Sequence, residues 1–262
     1  MTLGQEFHGW GFTINDEIEN LRAAQEHLKI VNLGATAIGT TVTAAPGYPE
    51  LAVKNLAELT GIDFKNSEDL IAATSDCGAY MTLSSAIKGL AVKMTKVCND
   101  IRLLASGPRC GLKEINLPQL QPGSSIMPGK VNPVAAEVAN QASFLAIGLD
   151  TTVMLAASAG QLELNVMEPV ITFALYTQMK VMTNACDTLR KKLVEGVTAN
   201  TERCKDYVMN SIGIVTLLKP HFGYQKCAAI AKEGYTTGKS LHQIVVDEQH
   251  LSLIHISEPT RQ

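Results

Sequence analysis

The chain has 262 residues and a formal charge of −3, with 46% hydrophobic but only 18% charged residues. This length is enough for one large core or two smaller domains, and the composition excludes both a disordered chain and a small disulfide scaffold. Because the charged fraction lies below the roughly 25% of an ordinary domain, we expect apolar surface that is covered by other chains.

The same composition argues against several partners and locations. The basic residues are scattered along the chain, so no nucleic-acid surface is indicated. There is no run of about 18 uncharged apolar residues and no signal-peptide pattern at the N-terminus, which predicts a cytoplasmic protein that does not enter a membrane. The six cysteines form no CxxC pair and no histidine lies at ligand spacing from them, so we expect reduced, buried thiols and no metal site.

From the N-terminus, hydrophobic periodicity predicts a helix over about 3–30, weakened at its start by Gly9 and Gly11, and then a loop over 32–49. The clearest pattern lies between Gly78 and Ser106 and predicts one long helix. Its apolar residues recur at alternating spacings of four and three, which is typical of a coiled-coil seam. They are Leu83, Ile87, Leu90, Met94, Val97, Ile101 and Leu104.

A second loop, 107–130, precedes a helix that is predicted to begin at Asn132 and Pro133 and to end before Gly160. Asn132 is the expected N-cap, because Asn at that place followed by Pro at the first helical position is a strong start signal. A further helix is predicted from Met167 to Glu195. The expected apolar faces of these two helices are Val138, Ala142, Leu145, Leu149, Val153 and Ala156 in the first, and Val170, Phe173, Thr177, Val181, Ala185 and Leu189 in the second.

Beyond Ala199 the pattern changes to shorter helices over 200–210, with Asn200 as N-cap, and over 240–249, and no strand pattern appears. The predicted fold class is therefore all-α. A long-helix bundle occupies 1–198, and the start of a small C-terminal helical domain occupies 199–251. The final residues, 252–262, follow no periodicity and resemble the translation of a sequencing-adapter oligonucleotide, so they are left out of the fold prediction.

The most informative stretch is 123–133, which reads GSSIMPGKVNP. It holds two hydroxyls, Ser124 and Ser125, and one cation, Lys130, directly before a helix N-terminus. A cation beside free backbone N–H groups attracts anions, and a loop of this kind can close over a carboxylate or phosphate. Composition alone favours the simpler interpretation, a Gly/Ser linker followed by a routine helix cap.

The string GSSIMPGKVNP resembles the signature of the aspartase/fumarase superfamily, whose members eliminate a group from succinyl-type substrates to give fumarate. Similarity to the aspartase branch extends over nearly the whole chain. It includes 31–40 (VNLGATAIGT), 75–80 (SDCGAY), 159–170 (AGQLELNVMEPV) and 210–216 (NSIGIVT). Class II fumarases typically carry a Phe-containing version of the LNVMEP stretch, so the MEP found here favours the aspartase branch.

The resemblance implies reversible deamination of L-aspartate to fumarate and ammonia by abstraction of the C3 proton. In this family the first serine of the loop is the general base, which assigns that role to Ser124. The same correspondence implies that Lys130 and Asn132 bind a substrate carboxylate, that Ser125 donates a neighbouring hydrogen bond and that Glu137 lies behind them. No organic cofactor is implied. Aspartases are often activated by a divalent cation, but no ligand cluster in this sequence places one.

The resemblance also implies a homotetramer in which three subunits build each active site. Members of the family have an N-terminal domain that contributes substrate contacts and that this sequence does not contain, so we expect the chain to be truncated at both ends. Class II fumarase remains an alternative function, and a catalytically inactive helical scaffold is an alternative of another class. Thr36 and Thr40 are interpreted as turn residues, and no histidine lies in a motif that would support a triad.

Overall fold

The computed structural model describes residues 1–123, 127 and 129–247. These residues form two compact units. Of the described residues, the first unit comprises those of Met1–Ser106 and Leu117–Val197, and the second comprises Gly107–Asn116 and Thr198–Asp247. Segment 107–116, predicted only as part of a loop between two long helices, therefore belongs to the second unit. In the described part of the chain, no helix is both long and apolar enough to cross a bilayer.

The first unit confirms the all-α prediction, with four long helices among its described residues. In chain order its elements are α1 (Leu3–His27), β1 (Ile30–Val31), α2 (Tyr48–Thr60), β2 (Lys65–Asn66), α3 (Ala72–Ser75), α4 (Gly78–Leu104), α5 (Val134–Ala157) and α6 (Glu168–Lys192). Strand β3 (Ile115–Asn116) lies between α4 and α5 in the sequence but belongs to the second unit. Helix α5 packs against both α4 and α6, and α1 packs against α4. A 3₁₀ turn, Val194–Gly196, follows α6.

Helices α1 and α4 are joined by a buried ion pair. Glu17 on α1 is only 4% exposed and pairs with the Lys93 ammonium on α4, while Asn20 Nδ2 donates to Glu17 Oε1 at 3.1 Å. Gly89 makes room for the carboxylate, because a Cβ there would lie 2.9 Å from Glu17 Oε2. Burial acts to raise the pKa of Glu17, but the Lys93 and Asn20 contacts outweigh it and hold the pKa below its usual value.

The predicted seam of α4 is confirmed, since five of its seven residues are buried and the other two are partly buried. The faces predicted for α5 and α6 are only partly right. On α5, Val138 and Leu145 are about half exposed, and on α6 Phe173 is 66% exposed. Small side chains occupy much of the buried face instead, because they let helix backbones approach closely. The buried residues of α5 are Ala135, Ala136, Ala139, Asn140, Ser143, Ala146, Asp150, Val153 and Ala156.

The segment between α1 and α4 is more structured than the sequence indicates. Strand β1 pairs in parallel with β2, and α2 follows the predicted loop. Gly39 in that loop has a φ of +86°, and a Cβ there would lie 2.3 Å from the Cα of Ile71. Helix α2 begins at Tyr48 with Pro49 in its first turn and ends at Gly61 in the left-handed conformation.

The second unit contains β4 (Thr198–Ala199), α7 (Thr201–Asn210), a 3₁₀ helix (Ile212–Leu218), α8 (Lys219–Thr237) and a π-helical turn (Gln243–Asp247). Strand β3 pairs antiparallel with β4. Arg203 and Tyr207 on α7 donate hydrogen bonds to the carbonyl oxygens of Gly111 and Leu112, which fasten segment 107–116 to this unit. The buried core comprises Val215, Leu218, Cys227, Ile230, Leu241, Ile244 and Val245.

The prediction of Asn200 as the N-cap residue of α7 is confirmed, although its side chain donates to the Lys113 carbonyl oxygen at 3.0 Å and does not itself cap the helix. Helix α8 was not predicted, because Pro220 and Gly223 read as breaks. Pro220 lies in the first turn, where a backbone N–H would have no acceptor within the helix, so proline costs no hydrogen bond there. Gly223 forms a kink with a φ of 74°.

Candidate active site

The signature loop is closed at its base. Gly123 has a φ of +96°, and a Cβ there would lie 2.8 Å from the carbonyl oxygen of Lys130. Both the positive φ and this close approach require glycine. The Lys130 N–H in turn donates to the Met127 carbonyl oxygen at 3.3 Å. Ser124 and Ser125, the predicted base and its neighbour, lie outside the described residues.

Helix α5 begins one residue later than predicted, and Asn132 is not its cap. The N-cap is Pro133, whose φ of −79° and ψ of 48° are not helical, and no side chain caps this end. At the start of the helix, the Glu137 N–H donates a hydrogen bond to the Pro133 carbonyl oxygen at 3.0 Å. The Asn132 side chain is partly buried and makes no hydrogen bond to any described residue. Among the described residues, therefore, no partner occupies its amide.

Three predicted site residues lie at or just before the α5 N-terminus. Lys130 is exposed and forms no ion pair within the described residues, and Glu137 lies in the first turn of α5 without a described side-chain partner. Together with Asn132 they offer an ammonium, an amide and a carboxylate. The free N–H groups of the first turn add partial positive charge. This arrangement can bind an anion such as a carboxylate.

Three other stretches of the resemblance meet elsewhere in the first unit. Parts of 31–40, 75–80 and 159–170 line a cavity of about 490 Å³, whose polar groups include Asn32, Asp76, Tyr80 and Glu168. Burial, and after it the Glu168 carboxylate, raises the pKa of Tyr80. Sequence analysis does not single out these residues as site residues, because none forms a recognisable spacing. They come together because the segments after β1 and α3 and the starts of α4 and α6 line the same cavity.

Asn165 shows that a residue within a family-like stretch can have a purely structural task. It is 3% exposed, and its Nδ2 donates to the carbonyl oxygens of Ala156 and Ala157 at 3.0 and 3.2 Å. Its Oδ1 accepts from the Met167 N–H at 2.9 Å. Asn165 therefore closes the end of α5 and the start of α6 with one side chain.

The six cysteines are all free thiols, but only Cys77, Cys98 and Cys227 are buried. Cys110 is exposed, so the prediction of uniformly buried thiols is wrong there. Among the described residues, no group of three or more His, Cys, Asp or Glu side chains is arranged to hold a metal ion.

Two family models match the sequence. Residues 1–148 match a model described as a lyase, and residues 214–257 match one described as the fumarase C C-terminus. The aspartate ammonia-lyase of Escherichia coli K12 is 56% identical over 247 residues, which are 94% of this chain and 52% of that protein. The aspartate ammonia-lyase of Helicobacter pylori is 51% identical over 252 residues, 96% of this chain and 54% of that protein.

Solved structures agree with these sequence relatives. A fumarate lyase:delta crystallin from Brucella melitensis bound to cobalt superposes with a TM-score of 0.94 at 41% identity, covering 98% of this chain and 56% of that one. A class II fumarase from Schistosoma mansoni gives a TM-score of 0.90 at 30% identity, covering 99% and 58%. The chain spans about half the length of the curated relatives it matches.

Proposed function

This chain belongs to the aspartase/fumarase family of lyases, and on that premise we propose that it takes part in the reversible conversion of L-aspartate to fumarate and ammonia. The observation that carries the choice of substrate is the identity of 50–56% to curated aspartate ammonia-lyases over about 95% of the chain. The class II fumarase structure is less similar, at 30% identity.

The chemistry requires charge stabilisation at a carboxylate. When a base removes the C3 proton of aspartate, the electron pair spreads into the adjacent carboxylate to give an enediolate, and the C2–N bond then breaks to release ammonia. The enediolate carries more negative charge than the substrate, so groups that bind it more tightly lower the barrier. We assign that task to the Lys130 ammonium, the Asn132 amide and the free N–H groups at the start of α5.

In this proposal Ser124 is the base and acts as an oxyanion. A serine hydroxyl is a weak base at neutral pH, so its anion needs hydrogen-bond donors around it. Ser125 supplies one such donor, and Glu137 orients the groups at the helix end. No organic cofactor takes part, and activation by a divalent cation is tested by adding and chelating magnesium during the assay.

We further propose that the active enzyme is a cytoplasmic homotetramer with composite active sites. The supporting observation is the amount of large apolar surface on the outer faces of α5 and α6. Phe144, Leu155, Phe173 and Tyr176 are each 57–68% exposed in the single chain. Several large apolar side chains exposed on neighbouring helices are typical of subunit interfaces.

The experiment joins this chain to the part of the E. coli relative that it does not match, and follows the ultraviolet absorbance of fumarate formed from L-aspartate. We expect turnover that Ser124→Ala abolishes, and for which Lys130→Ala both lowers kcat and raises KM for aspartate. Lys205→Ala is the matched control, because Lys205 is an exposed lysine on α7 with no described partner. Interconversion of fumarate and malate without aspartate turnover would establish the fumarase alternative. A folded but inactive chimera would establish the scaffold.

A further inference from the structure

The residues that flank the signature loop rest on the end of α6. Pro118, before the loop, and Asn132 and Pro133, after it, line a crevice with Leu193, and this crevice has no room for a water molecule. Leu193 is 2% exposed. Because the buried Leu193 forms one wall of the crevice, a Pro118 ring that is displaced there shifts against the other residues that line it.

Gly196 is the residue that lets Pro118 reach this position. It ends the 3₁₀ turn after α6, and its N–H donates to the Leu193 carbonyl oxygen at 3.0 Å. A Cβ at Gly196 would lie 2.6 Å from Pro118 Cγ, closer than real Cβ atoms approach. The pyrrolidine ring is tied to its own backbone, so it cannot rotate away as a flexible side chain would.

We propose that Gly196 is a positioning residue for the lyase reaction. Its lack of a side chain leaves room for the Pro118 ring, whereas a side chain there would push that ring into the crevice it shares with Asn132 and turn the Asn132 amide away from the substrate carboxylate. This inference rests on the proposed function. It adds a residue that touches no substrate and lies more than sixty positions beyond the signature in the sequence.

The first test is Gly196→Ala in the chimera described above. A displacement of the order of 1 Å at a site costs up to about 100-fold, so we expect kcat/KM for aspartate to fall about 10-fold or more. We expect KM to rise, because Asn132 binds the substrate carboxylate, and kcat to fall, because the same amide binds the enediolate more tightly. Partial unfolding would instead lower the apparent kcat and leave KM unchanged.

The second variant, Gly196→Ala with Pro118→Ala, makes the test specific to this contact. Removing Pro118 Cγ leaves its Cβ as the nearest atom of that side chain, 3.6 Å from the new methyl group, which is an ordinary contact. We therefore expect the double variant to regain most of the lost kcat/KM. Gly9→Ala is the matched control, because Gly9 is an exposed residue of α1 with nothing within 4 Å of its Cβ position.

A readout that needs no activity separates this inference from the proposed function. The Glu137 amide, which donates to Pro133, is measured by hydrogen exchange in the 262-residue chain. We expect it to exchange faster in Gly196→Ala and at the parent rate in the double variant and in Gly9→Ala. An unchanged rate in Gly196→Ala, or no recovery in the double variant, would overturn the inference. An inactive parent chimera would overturn the proposed function alone.

Discussion

Asp150 offers the sharpest test of how the bundle is held together. It lies on α5 at 7% exposure, and each of its carboxylate oxygens has a partner on α4. Oδ1 accepts from the buried Ser84 hydroxyl at 2.8 Å and from Ser85 at 3.4 Å, while Oδ2 pairs with Lys88 Nζ at 2.5 Å. The substitution Asp150→Asn keeps the volume and removes the charge.

The expected cost follows from these contacts. A hydrogen bond to a charged group contributes about 1.5–3 kcal/mol, and Asp150→Asn weakens two of them. The Lys88 side chain is 40% exposed, so its ammonium regains water and the loss there is reduced. We therefore expect the free energy of unfolding to fall by about 2 kcal/mol. Adding Lys88→Met, which removes the stranded cation, is expected to recover about half of that loss.

Urea unfolding followed by tryptophan fluorescence measures this change. Trp10 is the only tryptophan and lies in the first unit at 9% exposure, so its signal reports on the bundle. With a slope of about 2 kcal/mol per molar urea, the midpoint should fall by about 1 M. Asp187→Asn is the control, because it removes a carboxylate that pairs with basic residues at an exposed position. An Asp150→Asn midpoint equal to that of the control would refute the reasoning.

Three further predictions follow from the described residues. The pKa of Glu17 is lowered in the folded chain, so the stability that its carboxylate contributes is present above the unfolded pKa of about 4.5 and is lost as pH falls through the folded pKa. The melting temperature of Glu17→Gln should therefore change less than that of the parent chain as the pH is lowered in this range. Gly39→Ala should destabilise the chain by about 3 kcal/mol or prevent folding, because its Cβ would clash, whereas Gly47→Ala, with a φ of +76° and open space, should cost about 1 kcal/mol. Burial raises the pKa of Cys98 to about 12, so mass spectrometry after alkylation of the native chain should find Cys98 unmodified and the exposed Cys110 modified, and the opposite order would contradict the buried placement.

Helix existence was predictable where one physical signal dominated. The seam of α4 follows from its spacing, because large residues at alternating threes and fours leave only one face to bury. Pro169 marked the start of α6, since a proline in the first turn loses no hydrogen bond. The start of α5 was predicted one residue too early, and the choice of cap was wrong. Asn132 is a good cap by type, yet the fixed φ of Pro133 and its non-helical ψ shift the first helical residue to Val134.

Features that depend on distant partners were not predictable. Nothing local shows that Pro118 meets Gly196, or that Gly39 approaches Ile71, since each contact joins segments that the fold alone brings together. Helix α2 was missed for a different reason. Its sequence follows a run of Pro and Gly residues that reads as a continuing loop, and its apolar face is short. The roles of Ser124 and Ser125 come from the resemblance alone, because both lie outside the described residues.

The partly wrong faces of α5 and α6 and the low charge of the chain have one cause. Periodicity shows that a helix has apolar faces, but a helix with more than one such face does not show which of them its own chain covers. Here α5 turns small residues such as Ala139 and Ala146 inward and leaves Phe144 and Leu155 outside. The faces with small side chains are therefore buried between closely packed helices of the chain, and the large side chains remain exposed for contacts with other chains. Sequence analysis favours the large residues as core, so it errs at the surfaces on which the proposed assembly depends.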